Sequence, residues 1–172
     1  MGAAPPRGVL GIAHTRWATH GVPAEENAHP MVSRGRLALV HNGIIEDHER
    51  LKAELADAGY AFDSATDTEV LSHAIHRALE AKGDLFDAVE SVVHGLDGAY
   101  AIAAVDQHHR DALVVARRGT PLVIGIGIGE HFVASDIAAL LAVTRRFIFL
   151  EEGDIARVTR GGVEIRDLHG NP

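Results

Sequence analysis

Ala99-Tyr100-Ala101-Ile102-Ala103-Ala104-Val105 marks the point where this chain passes from helical to extended patterning. The run is short, apolar and partly branched, and Gly98 opens it just after a helix-like periodicity ends. Six further runs follow it: Ala112 to Ala116, Leu122 to Ile126, His131 to Ala134, Phe147 to Leu150, Ile155 to Thr159 and Val163 to Arg166. Turn residues such as Gly161-Gly162 separate them, and their close spacing favours antiparallel meanders over β-α-β crossovers.

Upstream of Gly98 the apolar residues recur at helical spacing. Leu85, Ala88, Val89, Val92 and Val93 mark one helix. Before it, Thr66 and Glu69 have the spacing of a capping box, followed by Val70, Leu71, Ala74, Ile75 and Leu79, so a helix should begin near Asp67. A third lies between Glu46 and Ala58, with acidic residues in its first turn and Gly59 just past its end. Nearer the start, Val9 to Ala13 reads as a buried strand, Thr19 to Pro30 as a loop, and Arg36 to His41 as a strand ended by a tight Asn42-Gly43 turn. These elements predict an α+β layered domain.

The 172 residues, 47% of them hydrophobic, suffice for one sizeable core, so a single domain spanning 1–172 is expected. A net charge of -8 without any run of Lys and Arg opposes a nucleic-acid partner. Met1 to Arg7 contain no apolar core of signal-peptide length, no later segment approaches the apolar length of a membrane span, and Pro6 breaks the myristoylation pattern. A soluble, cytoplasmic protein with no membrane partner follows as the expectation. The 12 histidines raise the question of a metal, yet none of their spacings matches a zinc motif and no metal site is expected. Gly125-Ile126-Gly127-Ile128-Gly129 misplaces the third glycine of a dinucleotide fingerprint and precedes a strand where a helix is needed, so no cofactor is expected either.

Three clusters carry residue types suited to chemistry: His14 to Gly21, then His41-Asn42-Gly43, then Thr66-Asp67-Thr68-Glu69. Arg16 can hold a carboxylate through two parallel hydrogen bonds and Asp67 can pair with an ammonium, which together suit the α-carbon groups of an amino acid. Taken alone, the two residues are more simply read as a surface ion pair at Arg16 and a helix cap at Asp67. Asn42 offers a side-chain amide and Gly43 an unobstructed backbone N–H, a combination able to stabilise an oxyanion. By itself Asn-Gly is ordinarily a turn.

Taken together, Gly11-Ile12-Ala13-His14-Thr15-Arg16-Trp17-Ala18-Thr19-His20-Gly21, His41 to Glu46 and Thr66 to Glu69 closely resemble the glutaminase domain of the glutamine–fructose-6-phosphate aminotransferases, the glucosamine-6-phosphate synthases. The resemblance continues through Ala116-Arg117, Gly119, Pro121 to Gly125, Ala134-Ser135-Asp136 and Arg145 to Ile155, with Arg118 departing where the family often has serine. Other class II glutamine amidotransferases share the Arg and Asn-Gly elements but usually differ around Trp17 to His20 and Phe147 to Asp154.

The resemblance implies a four-layer αββα sandwich of the N-terminal-nucleophile type, in which a first-residue cysteine attacks the glutamine amide and its own α-amino group acts as base. Such an amine titrates at about 7.7–8.0 and can exchange a proton with the thiol. Carried across by position, Arg16 would bind the α-carboxylate of L-glutamine or L-glutamate and Asp67 its α-ammonium. Asn42 and Gly43 would form the oxyanion hole, and Trp17, Thr19 and His20 would line or close the pocket.

The chain contains no cysteine, and the family's opening strand and helix have no counterpart before Gly8. The expectation is therefore an incomplete glutaminase domain, inactive by itself, whose isomerase part lies in the full-length parent. An uncovered sheet edge should also promote association into a homo-oligomer. The competing reading is a module that binds glutamine or glutamate without turnover.

Overall fold

The computed structural model describes residues 8–16 and 21–172. Its elements run β1 (Met31–Ser33), β2 (Leu37–Ile45), α1 (His48–Asp57), α2 (Asp67–Lys82), α3 (Leu85–Val93), β3 (Gly98–Asp106), β4 (His109–Arg118), β5 (Val123–Ile126), β6 (His131–Ala134), β7 (Phe147–Phe149), β8 (Ile155–Thr159) and β9 (Gly162–Arg166). A six-stranded sheet has the order β1-β2-β3-β4-β8-β9, and a three-stranded sheet has the order β6-β5-β7. The paired strands within both sheets are antiparallel, as the short runs predicted.

Strand β3 explains why those runs lack a polar face. Its Tyr100, Ile102 and Ala104 pack into the core shared with Leu71, Ile75 and Leu79 of α2 and Phe86, Val89 and Val93 of α3. The alternate residues Ala101 and Ala103 point the other way, joining Leu113, Val115 and Ala156 against Leu122 and Ile124. Side chains alternate along a strand, so one sheet supplies two cores only when both sets are apolar. The described residues thus build three layers, helices on the six-stranded sheet and that sheet on the three-stranded one: an α+β sandwich as anticipated, with three of the four αββα layers that the resemblance implied.

The helices end where local chemistry ends them. Thr66 caps α2 by accepting the Glu69 N–H at 3.2 Å, and Gly83, at φ 77°, closes it with an N–H to the Leu79 carbonyl. Only half of the capping box forms, because the Glu69 carboxylate instead accepts the N–H groups of Asp63 and Ser64 at 2.9 and 2.8 Å. Asp84 caps α3 through the Phe86 and Asp87 N–H groups. Arg157 and Arg166 reach from β8 and β9 to stack on Phe86, their guanidinium carbons 4.8 and 4.4 Å from the ring centre.

Two sequence expectations are corrected. Val9 to Ala13 is not a strand: Leu10 and Ile12 pack on the inter-sheet core but Val9 is exposed, and the segment pairs with neither sheet. Asn42-Gly43 is not a turn either. Both residues lie inside β2, opposite Ala101 and Tyr100 of β3. The positive φ of Gly43, 131°, serves the close approach of two strands rather than a reversal of the chain. The short strand β1 carries no signal in the sequence, since three residues are too few for a pattern. Among the described residues, no helix is long and apolar enough to cross a membrane.

Candidate active site

The site lies where β2 and the start of α2 meet the segment that precedes Trp17. The packing of α2 on β2 brings Asp67, at the first position of α2, beside Asn42 and Gly43. The Asp67 carboxylate is buried and accepts the Ile45 backbone N–H at 2.9 Å, which joins the start of α2 to the end of β2. Its Oδ2 also lies 3.9 Å from His41 Nδ1. Thr66, not Asp67, is the cap, so the blander reading of Asp67 as a helix cap does not apply.

Arg16 has φ 47°, a left-handed backbone that few side chains other than Asn, Asp and Gly adopt. Its backbone N–H is tied to His14 Nδ1 at 2.8 Å, and its guanidinium donates to the carbonyls of Gly21 and Val22, both at 3.3 Å.

Arg16, Asn42, Gly43 and Asp67 line one cavity of about 330 Å³, together with His14, His29, His41, Ile44, Thr66, Thr68 and Thr120. Four of the residues singled out in the sequence therefore share one space. Trp17, Thr19 and His20 lie outside the described residues. The sequence places His14 and Thr68 in two of the clusters suited to chemistry without giving either a role, and His29 belongs to none of them.

These residues are joined by short contacts: His14 Nε2 to Asn42 Oδ1 at 2.6 Å, His29 Nδ1 to His14 Nδ1 at 2.9 Å and His29 Nε2 to Thr68 Oγ1 at 2.9 Å. Burial, reinforced by His14, His41 and Arg16 nearby and only partly opposed by Asp67, lowers the His29 pKa to about 4. Among the described residues, no three His, Asp or Glu side chains converge as metal ligands.

What the arrangement can do follows from its parts. A cation and a buried carboxylate lining one space can hold the two charges of an amino acid backbone, and a 330 Å³ space accommodates a ligand of that size. The Asn42 amide and the Gly43 backbone line the same space and are of the kind that stabilise an oxyanion.

The sequence matches the glutamine amidotransferase domain family over residues 14–142. It is 58% identical over 95% of its length to glutamine–fructose-6-phosphate aminotransferase (isomerizing) of Idiomarina loihiensis, and 56% identical over 97% to the same enzyme of Shewanella oneidensis. The chain spans 27% of the length of each of these relatives. Among solved structures, glutamine phosphoribosylpyrophosphate amidotransferase from B. subtilis, complexed with ADP and GMP, superposes with a TM-score of 0.74. That match has 28% identity and covers 90% of this chain and 34% of the other. The family match takes in Arg16, Asn42, Gly43 and Asp67, and the fold agrees with that of a solved amidotransferase of the N-terminal-nucleophile type. This chain belongs to the glutamine amidotransferase domain family.

Proposed function

We propose that this chain is a single glutamine-binding domain, the glutaminase part of a glutamine–fructose-6-phosphate aminotransferase. Arg16 takes the α-carboxylate of L-glutamine or L-glutamate, and Asp67 takes its α-ammonium. The Asn42 amide and the Gly43 N–H serve the side-chain carbonyl as an oxyanion hole, and Trp17, Thr19 and His20 would line or close the pocket. The observation that carries this reading is the cavity common to Arg16, Asn42, Gly43 and Asp67. In the complete enzyme the domain would release ammonia from L-glutamine for the conversion of fructose 6-phosphate to glucosamine 6-phosphate by an isomerase domain.

The chain has no cysteine, so no thiol of its own can attack the glutamine amide. We assign it binding without thiol-dependent turnover. Oxyanion stabilisation alone can leave slight residual acceleration in a hydrolase stripped of its nucleophile, but not turnover at enzymatic rates.

Isothermal titration of the 172-residue chain with L-glutamate, alongside a glutamate-release assay with L-glutamine, tests both parts. Saturable binding with background hydrolysis is the expected result. Absence of binding would sink the ligand assignment, and clear glutamate release would sink the assignment of inactivity.

A further inference from the structure

His41 and Asn42 are sequence neighbours, yet their side chains are also connected the long way round, through Thr68, His29 and His14. The contacts are His41 Nδ1 to Thr68 Oγ1 at 3.1 Å, Thr68 Oγ1 to His29 Nε2 at 2.9 Å, His29 Nδ1 to His14 Nδ1 at 2.9 Å and His14 Nε2 to Asn42 Oδ1 at 2.6 Å.

One contact sets the direction of the whole chain. The Arg16 backbone N–H can only donate, and it lies 2.8 Å from His14 Nδ1, so that nitrogen carries no proton. The ring proton is then on Nε2, which donates to Asn42, and the Asn42 atom that receives it must be the carbonyl oxygen, because an amide NH2 accepts nothing. His29 Nδ1 faces the same unprotonated nitrogen and must donate to it. Two donors thereby share one lone pair in a three-centre arrangement, with the two rings edge to face at 79°.

At neutral pH His29 is uncharged, so its other nitrogen is an acceptor. The Thr68 hydroxyl fills it at 2.9 Å in preference to the Asp67 Oδ1 at 3.5 Å. With its proton so committed, the Thr68 oxygen accepts from His41 Nδ1–H. Every link then donates in the same sense, from His41 to Asn42, and hydrogen bonds aligned in this way polarise one another.

We propose that His29 and Thr68 are positioning residues of the site: acting through His14, they lock the Asn42 amide with its oxygen turned back and its NH2 presented to the cavity. The proposal rests on the reading of Asn42 as an oxyanion donor. Without the lock, the amide could turn over and present its oxygen, which would repel an oxyanion. The same imidazole, His14, also holds the backbone N–H of Arg16, so one ring sets both the proposed carboxylate clamp and the proposed oxyanion donor.

The test is histidine tautomer assignment by two-bond ¹H–¹⁵N correlation on the full chain near neutral pH. His14 should carry its proton on Nε2, and His29 and His41 on Nδ1. A wild-type chain with the His14 proton on Nδ1, or the His29 proton on Nε2, would overturn the proposal without recourse to any variant. In Thr68→Val the Asn42 side-chain amide signal should move, while Thr68→Ser restores it. An Asn42 signal unmoved by Thr68→Val would also overturn it.

L-glutamate added to the same sample separates this proposal from the functional reading. The assigned tautomers with no ligand-induced shift at Asn42 or Arg16 would sink ligand binding but leave the relay standing. Ligand shifts with other tautomers would do the reverse.

Discussion

A methyl group on Gly43 would overlap the carbonyl oxygen of Ala99 on the neighbouring strand, so no residue with a side chain fits where β2 and β3 approach each other. The site depends on this approach, because Gly43 directly follows Asn42 and lines the same cavity. Gly43→Ala meets the overlap and a φ of 131° at once, and should cost about 3 kcal/mol or more. Denaturant unfolding measures it, and a loss below about 1 kcal/mol would show that the strands separate more easily than their packing implies.

Arg16 and Asp67 should divide the ligand between them. Lysine keeps the charge of Arg16 but not its planar fork, so Arg16→Lys should weaken L-glutamate at least about tenfold with little change in melting temperature. Asp67→Asn should weaken it by a similar factor through the lost charge, while its side-chain oxygen can still accept the Ile45 N–H. Calorimetric titration of the two variants against wild type checks both, and unchanged affinity in either would remove that residue from the proposed clamp.

Acid should lower the stability of the protein over two pH ranges. Burial lowers the pKa of His29, to about 4, and also those of His73 and His76. Between about pH 6.5 and 4 the unfolded chain therefore binds more protons than the folded one, and stability falls as the pH falls. The stabilisation is fully present only above about 6.5. The second range belongs to Asp106. Burial pushes its carboxyl up, but hydrogen bonds from Arg36, the His108 N–H and His109 outweigh that and bring its pKa to about 2. Its contribution is present above its ordinary pKa of 3.8 and is lost as the pH falls toward about 2. A melting temperature flat between pH 6.5 and 4.5 would contradict the loss over the first range.

Thr66→Ala removes the acceptor for the Glu69 N–H and leaves the first turn of α2 uncapped, at a cost of about 1 kcal/mol. Thr66→Ser should recover most of it. Because Asp67 follows directly on the cap, L-glutamate affinity should fall with the alanine variant and return with serine. Thermal melts and titrations on the pair check this, and equal stability of the alanine and wild-type chains would exclude capping by Thr66.

How much of this was legible in advance depended on the range of the physics involved. The three helices could be read from the sequence because their signals are local: Thr66 and Glu69 are three residues apart, Gly83 lies just past α2, and Asp84 bonds to Phe86 and Asp87. The strands after Gly98 were legible because a strand buried on both faces must be apolar throughout. Arg16, Asn42, Gly43 and Asp67 stood out by residue type and by resemblance to a family.

The sequence by itself thus determined the three helices, the strands after Gly98 with their antiparallel character, and the candidate residues of the site. Tertiary structure alone decided that Asn42-Gly43 lies within a strand. Positive φ permits both a turn and a close strand pair, and only Ala99 and Tyr100 across the sheet select the second. It alone also decided the roles of His29 and Thr68. His14 lies 28 residues from Asn42 and His29 lies 39 from Thr68, so a hydrogen-bond direction fixed at the Arg16 N–H reaches Asn42 only once the chain has folded. Donor and acceptor assignments of this kind are properties of a network, and no single residue or local spacing carries them.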